Sequence, residues 1–323
     1  MNGQPDLETD ISTLSVHLSE ERALQGDFPQ GDSPRGNPPQ GDSQQGDSPR
    51  GNPPQGGDSP QGDPKGRPYN DTGSSIVGAD PCGRPGRGRP ATLVKVCDLK
   101  KSYGFKPVLR GVDLTTHAKE RVALLGANGA GKTTLLRILA CLIKPDRGYA
   151  EVDGLDCQYD AQHIRRLVGF VGHQPYLYEE LTVLENLLFF ARMYGIARAR
   201  ERALGLLQRV GLEQRQKERV GALSRGQVQR LAWARTLLHQ PRLLLLDEPD
   251  TGLDQAGHAL VDALLNEHTQ AGGGVLFTTH QLERALALGD RVVLLSRGRI
   301  VYERATAQLS LSELQQRYQE VAQ

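Results

Sequence analysis

Residues 126–133 read Gly126, Ala127, Asn128, Gly129, Ala130, Gly131, Lys132 and Thr133, which fits G-x-x-x-x-G-K-[ST]. In that pattern the glycines let consecutive backbone N–H groups curl around a phosphate. The lysine would reach the terminal phosphates of a nucleotide, and the threonine hydroxyl would hold Mg²⁺. A second reactive group closes an apolar run, where Arg242 is followed by four leucines and then by Asp247, Glu248 and Pro249. Asp247 can support the Mg²⁺ shell, and Glu248 is placed to polarise a water attacking the γ-phosphate. His280 ends a further apolar run that begins at Gly274. Standing alone, the two acids would open an ordinary solvated loop and the histidine would be unremarkable. Their order behind the glycine loop is what points to chemistry.

The elements that must carry these groups are legible around them. Residues 122–125 form a short continuous apolar run, which predicts a strand buried on both faces. After the loop, Leu135, Leu136, Ile138, Leu139, Leu142 and Ile143 fall at helical spacing, and Pro145 is expected to end that helix. Strand, glycine loop and helix together make the phosphate site, because the helix N-terminus adds its partial positive charge. Residues 243–246 and 274–279 read as further buried strands, with the acids and His280 at their C-terminal ends. Open α/β sheets place their chemistry at that edge. Residues 291–296, a turn at Gly298 and residues 299–303 read as a β-hairpin. Ser310 and Glu313 are spaced to cap a last helix carrying Leu311, Leu314, Tyr318 and Val321. The basic run 198–219 contains Leu204, Leu206, Leu207, Val210 and Leu212, which mark an amphipathic helix with a solvated basic face.

The chain has 323 residues and a formal charge of +1, from 39 Lys+Arg and 38 Asp+Glu, so it presents no electrostatic case for binding nucleic acid. Hydrophobic residues make up 37%, below a typical ~45–50% that also counts Gly. The shortfall lies in residues 1–90, which hold 14 of the 19 Pro and 16 of the 37 Gly and repeat GDSPRGNPPQG from residues 31 and 46. With Phe28 and Tyr69 as its only aromatics, this stretch is expected to be a disordered, low-complexity extension; only Leu14, His17, Leu18 and Leu24 have rough helical spacing. No basic-then-apolar start marks a secretory signal, and no apolar run reaches the ~20 residues of a membrane span. Cys82, Cys97, Cys141 and Cys157 lack metal-site spacing and are expected to be reduced thiols.

Leu223, Ser224, Arg225, Gly226 and Gln227 resemble the signature of ABC-type ATPases, just ahead of the Asp247–Glu248 pair. Tyr103 resembles the family's adenine-stacking aromatic, Gln174 its glutamine that joins the Mg²⁺ and water site to the transporter, Gly252-Leu253-Asp254 its D-loop, and His280 its switch histidine. The resemblance covers residues 92–303 and implies an α/β fold. That fold is a P-loop NTPase parallel sheet with an N-terminal antiparallel β portion and an inserted helical subdomain at about 175–238, within an ATPase domain at 91–323. It implies ATP bound by Tyr103 and by Gly126, Ala127, Asn128, Gly129, Ala130, Gly131, Lys132, Thr133 and Thr134. Catalysis would rest on Glu248, His280, Lys132 and Gln174, with Mg²⁺ held by Thr133, Gln174 and, at one remove, Asp247. In a head-to-tail pair, Ser224, Arg225, Gly226 and Gln227 would cap the partner's ATP, with Asp254 beside them. Arg225, Asp250 and Trp233 depart from the residues usual at their positions, and none of them removes a catalytic atom.

The implied partners are an integral-membrane permease and a second copy of the chain or another ATPase subunit, at the cytoplasmic face of the membrane, with no nucleic acid. One cassette is present, and the 48 residues between Gln174 and Leu223 leave no space for a long coiled coil. Tyr176, Leu177, Tyr178 and Leu181 beside Glu179 and Glu180 suit a groove for the permease, whereas Leu184, Leu187, Leu188 and Phe189 suit a helical core. The wording around His173 and Gln174 resembles the ATPase of the haem exporter of cytochrome c maturation, and also the ATPases of drug, lipid and polysaccharide exporters. A soluble ABC ATPase that remodels a complex is the alternative of a different class. Intact Glu248 speaks against a non-hydrolysing binding module.

Overall fold

The computed structural model describes residues 91–251 and 253–322. The expected extension at 1–90 and Gly252 lie outside the described residues. Strands β1 (Thr92–Tyr103) and β2 (Lys106–His117) pair antiparallel, with Tyr103 opposite Lys106 at the hairpin end. With β4 (Arg147–Val152) and β5 (Leu155–Asp156) they form a four-stranded sheet in the order β2-β1-β4-β5. Between them the chain makes β3 (Arg121–Leu125) and helix α1 (Lys132–Leu139).

The second sheet holds the predicted reactive strand ends. Its members are β3, β6 (Val168–Val171), β7 (Leu243–Asp247), β8 (Gly274–Thr278), β9 (Arg291–Ser296) and β10 (Arg299–Ala305), in the order β10-β9-β3-β8-β7-β6. All neighbours are parallel except the β9–β10 hairpin. Every residue of β7 and β8 is buried because each strand serves two cores. Ala123, Leu125, Leu244, Leu246 and Phe277 face one core, while Val122, Leu124, Leu243, Leu245 and Leu276 face the other. A side-chain period of two spread over two apolar layers produces the continuous leucine run seen in the sequence.

The second core is shared with α1, α2 (Ala161–Leu167) and the antiparallel sheet. The first is covered by α3 (Val183–Met193), α4 (Ala199–Arg209), α5 (Arg225–Leu237), α6 (Gln255–Gln270), α7 (Leu282–Leu288) and α8 (Leu311–Ala322). Helices α3, α4 and α5 contact one another and fall within the span expected for a helical subdomain. Leu184 and Leu187 are buried there, as are Leu206, Leu207, Val210 and Leu212 of the basic run. Thr182 and Glu185 form a capping box on α3, and Ser310 and Glu313 exchange hydrogen bonds ahead of α8.

One expectation needs correction. Helix α1 stops at Leu139 rather than running to Pro145. Cys141 takes a left-handed φ of 55°, and the N–H groups of Cys141 and Leu142 donate to the carbonyls of Ile138 and Arg137. That is a Schellman ending, which closes a helix by satisfying its last carbonyls. Leu142 and Ile143 therefore pack on the core from a turn, which periodicity cannot distinguish from one more helical turn. Among the described residues, Cys141 and Cys157 are buried free thiols.

His239, just after α5, donates through Nε2 to the Val168 carbonyl at 3.0 Å and stacks on Tyr194 at 4.2 Å. Burial, the largest cause, pushes its pKa down to about 4. A histidine held neutral in the fold binds its proton more readily when unfolded, so stability is full above the ordinary value near 6.5 and falls as pH drops towards 4. We expect the protein to lose about 2–3 kcal/mol between pH 7 and 4.5 from this residue alone. His268, whose pKa is also lowered by burial, adds a loss in the same direction. Denaturant melts at the two pH values should show a smaller difference in His239→Gln; an equal difference would refute the assignment.

Candidate active site

The glycine loop joins the end of β3 to α1, and its conformation depends on glycine at two points. Gly126 and Gly131 have φ of 153° and 112°, and a Cβ on them would lie 2.2 Å from the Leu295 carbonyl and 2.6 Å from Leu109 Cδ2. Gly129, at φ 81°, has nothing near where a Cβ would stand. Lys132 opens α1 almost fully buried, and its Nζ donates to the carbonyls of Gly126 at 2.7 Å and Ala127 at 3.2 Å. Burial lowers its pKa, opposed by the nearby charges of Glu248 and Asp247. Thr134 is buried beside it, while Asn128 at the loop tip is exposed.

Parallel register brings the remaining groups to this loop. Leu124 of β3 and Asp247 of β7 both stand opposite Thr278 of β8, so three strand ends share one row. Across that row Thr133 Oγ1 donates to Asp247 Oδ2 at 2.7 Å, and Thr278 Oγ1 donates to Asp247 Oδ1 at 2.8 Å. The Thr278 hydroxyl also accepts from the Glu248 N–H at 2.9 Å. Sequence reading placed Thr278 only as part of a strand; its one signal was a hydroxyl at the end of an apolar run. Glu248 adopts a left-handed φ of 54°, a conformation that costs a non-glycine residue roughly 1–2 kcal/mol. Its carboxylate lies 3.9 Å from His280 Nδ1 and accepts from Thr251 Oγ1 at 3.3 Å.

Asp247 tests whether a divalent cation fits. Its side chain is 3% exposed, and burying a carboxylate costs several kcal/mol unless charge compensates. Its hydrogen-bond partners are two neutral hydroxyls, His173 Nε2 lies 3.8 Å away, and the Lys132 ammonium is near enough to feel its charge. The hydroxyl and carboxylate oxygens of Thr133 and Asp247 are the hard donors that Mg²⁺ takes, directly or through its bound waters. Gln174 is exposed just beyond β6, whose Val171 stands opposite Leu246, so it reaches the same sheet edge. Tyr103, half-exposed at the end of β1, has Lys101 Nζ 5.8 Å from its ring centroid.

Residues 109–251 match the family model described as ABC transporter. Over 228 residues the chain is 36% identical to the ABC transporter ATP-binding protein NatA of Bacillus subtilis, covering 68% of this chain and 93% of that one. The chain belongs to the ABC transporter ATP-binding family. It is also 40% identical to the daunorubicin resistance ATP-binding protein DrrA3 of Streptomyces coeruleorubidus, over 66% of this chain and 68% of that one. Identity to the Nod factor export ATP-binding protein I of Burkholderia lata is 38%, over 70% and 75% of the two chains. Among solved structures, the dimeric post-hydrolysis state of the cassette MJ0796 bound to ADP and Pi is similar at 31% identity. Its TM-score is 0.62, with 66% of this chain and 99% of that one covered. The chain is thus an ATPase subunit of an ABC transporter.

Within this ABC cassette, the family match includes the glycine loop, Gln174, residues 223–227 and Asp247–Glu248, while Tyr103, Asp254 and His280 lie outside it. Ser224 is exposed at the N-cap of α5, where its Oγ accepts from the Gln227 N–H and its own N–H donates to Gln227 Oε1. A hydroxyl used as a cap acceptor keeps its O–H free to donate to a phosphate oxygen. Arg225 is exposed beside it, and Gly226 is half-buried. Asp254 caps α6 by accepting from the Gly257 N–H at 2.7 Å and lies 3.7 Å from Arg230 of α5. Trp233 is fully buried in the first core.

Proposed function

We propose that this subunit powers export through a separate integral-membrane permease, bound peripherally at the cytoplasmic face, and that it acts as a pair. In that pair residues 126–133 of one copy and residues 224–227 of another close on a single ATP. The reading is carried by the 2.7 Å bond from Thr133 to Asp247, which draws the glycine loop and the acidic strand end into one site. Lys132, now bonded to two loop carbonyls, is the cation that meets the terminal phosphates. Thr133 and Gln174 would hold Mg²⁺ with Asp247 behind them, and when bound the ion neutralises charge on the phosphate oxygens. Glu248 orients the attacking water and accepts its proton, His280 contacts the γ-phosphate, and Tyr103 stacks on adenine.

Export of the drug or Nod factor kind is supported by the likeness to a daunorubicin resistance ATP-binding protein and a Nod factor export ATP-binding protein. The haem reading rests on the wording around His173 and Gln174 and has no counterpart among the relatives named above. A groove for the permease is supported by a shallow depression of about 140 Å³ lined by Pro175, Leu177, Glu179, Val220 and Leu223. Purification of the tagged chain from its own membranes should retain a multi-span partner, and its deletion should sensitise cells to an anthracycline. Loss of c-type cytochromes instead would favour haem export, and recovery with soluble proteins alone would favour the remodelling ATPase.

A further inference from the structure

Arg284 lies on α7, one turn beyond His280, and its guanidinium grips two carboxylates at once. Nε and Nη2 donate to Asp250 Oδ2 and Oδ1 at 3.2 and 3.0 Å, while Nη1 and Nη2 donate to Asp262 Oδ2 and Oδ1 at 3.2 and 2.7 Å. The Arg284 and Asp250 side chains are only 17% and 7% exposed, so solvent competes little with these bonds. Asp250 stands two residues after Glu248 in the turn that leads to Asp254, and Asp262 is on α6, the helix that Asp254 caps. The carbonyl of Asp250 also accepts from the Leu253 N–H at 3.2 Å, which continues the turn begun by the bond from the Thr251 N–H to the Glu248 carbonyl. One rigid, planar fork therefore joins the segments bearing Glu248, His280 and Asp254.

We propose that Arg284 is a positioning residue for ATP hydrolysis, acting through Asp250 to hold Glu248 beside His280 in a geometry that serves the attacking water. The proposal rests on the roles given above to Glu248 and His280. A lysine at 284 keeps the charge but loses the fork, since a single ammonium cannot place parallel N–H pairs on two carboxylates. A glutamine loses both and leaves Asp250 buried without its cation.

The test measures kcat and KM for ATP per nucleotide-binding-competent subunit in Arg284→Lys, Arg284→Gln, Asp250→Asn and the double variant Asp250→Asn/Arg284→Gln. The expected result is kcat about tenfold lower in each with KM within twofold, and a double variant no slower than the slower single one. Removing the stranded charge in the double variant should restore the melting temperature but not kcat. A purely structural clamp would lower the melting temperature and the competent fraction and leave kcat per competent subunit unchanged. That result, in Arg284→Lys or in the double variant, overturns the proposal. Full kcat in Glu248→Gln would instead refute the reading of the site on which it stands.

Discussion

Glu248→Gln is expected to lower kcat for ATP by at least 10²–10³-fold while ATP affinity stays within a few-fold. The amide keeps the shape of the carboxylate and can still accept from Thr251, so the turn after β7 should survive. It cannot accept a proton from the attacking water. The proposed phosphate cradle draws on other residues: Lys132 bonds to loop carbonyls and Thr133 to Asp247, and the Glu248 N–H bond to Thr278 is unaffected by its side chain. Binding and turnover should therefore separate cleanly. ATP should also hold the variant as a pair if, as proposed, hydrolysis is the step that releases the two copies. Steady-state ATPase rates, nucleotide binding and size-exclusion chromatography with ATP check this. Turnover near the wild-type rate would remove Glu248 from its role.

Ser224→Arg and Lys132→Ala should each abolish most turnover alone and restore part of it when mixed. Ser224 is exposed at the start of α5 and its hydrogen bonds stay within that helix start, so its free O–H points to use by another copy. Arginine there would block the partner's ATP while leaving the chain's own glycine loop intact, so monomer affinity for ATP should change only a few-fold. Lys132→Ala does the reverse, removing the buried ammonium and leaving residues 224–227 sound. In a mixed pair one site combines Lys132 from the first chain with Ser224 from the second, and the other site carries both lesions. Random mixing of equal amounts of a symmetric pair restores at most about a quarter of the intact sites. The wild-type rate per subunit should also rise with protein concentration. A rate independent of concentration below dimerisation, or mixtures no faster than either variant, would show that each chain hydrolyses ATP alone.

The departures from the usual family residues illustrate what a sequence alone can decide. Asp250 is only an unusual residue until Arg284, thirty-four positions later, is seen to hold it. Thr278 belongs to an apolar strand until register sets it between Asp247 and the Glu248 N–H. His173 precedes Gln174 in the chain, and only the fold brings its ring to within 3.8 Å of Asp247. In each case the partners are distant in sequence, and their meeting depends on which strand lies next to which.

Local physics made the other parts readable. Glycine, lysine and threonine at fixed spacing encode a turn that few other residues could form, and the four-leucine run before Asp247 encodes a strand buried on both faces. The capping pair Ser310–Glu313 fixes a helix start within three residues. The end of α1 is not legible in the sequence because Cys141, not a glycine or proline, takes the left-handed closing position, and nothing in a cysteine's chemistry announces that. The amino-acid sequence by itself thus determined the glycine loop, the buried strands, the capped start of the last helix and the chemical types at the site, all consequences of short-range sterics and periodicity. Tertiary structure alone decided strand order, and with it the Thr133–Asp247–Thr278 row and the Arg284 clamp, because parallel pairing joins residues through contacts that no local spacing records.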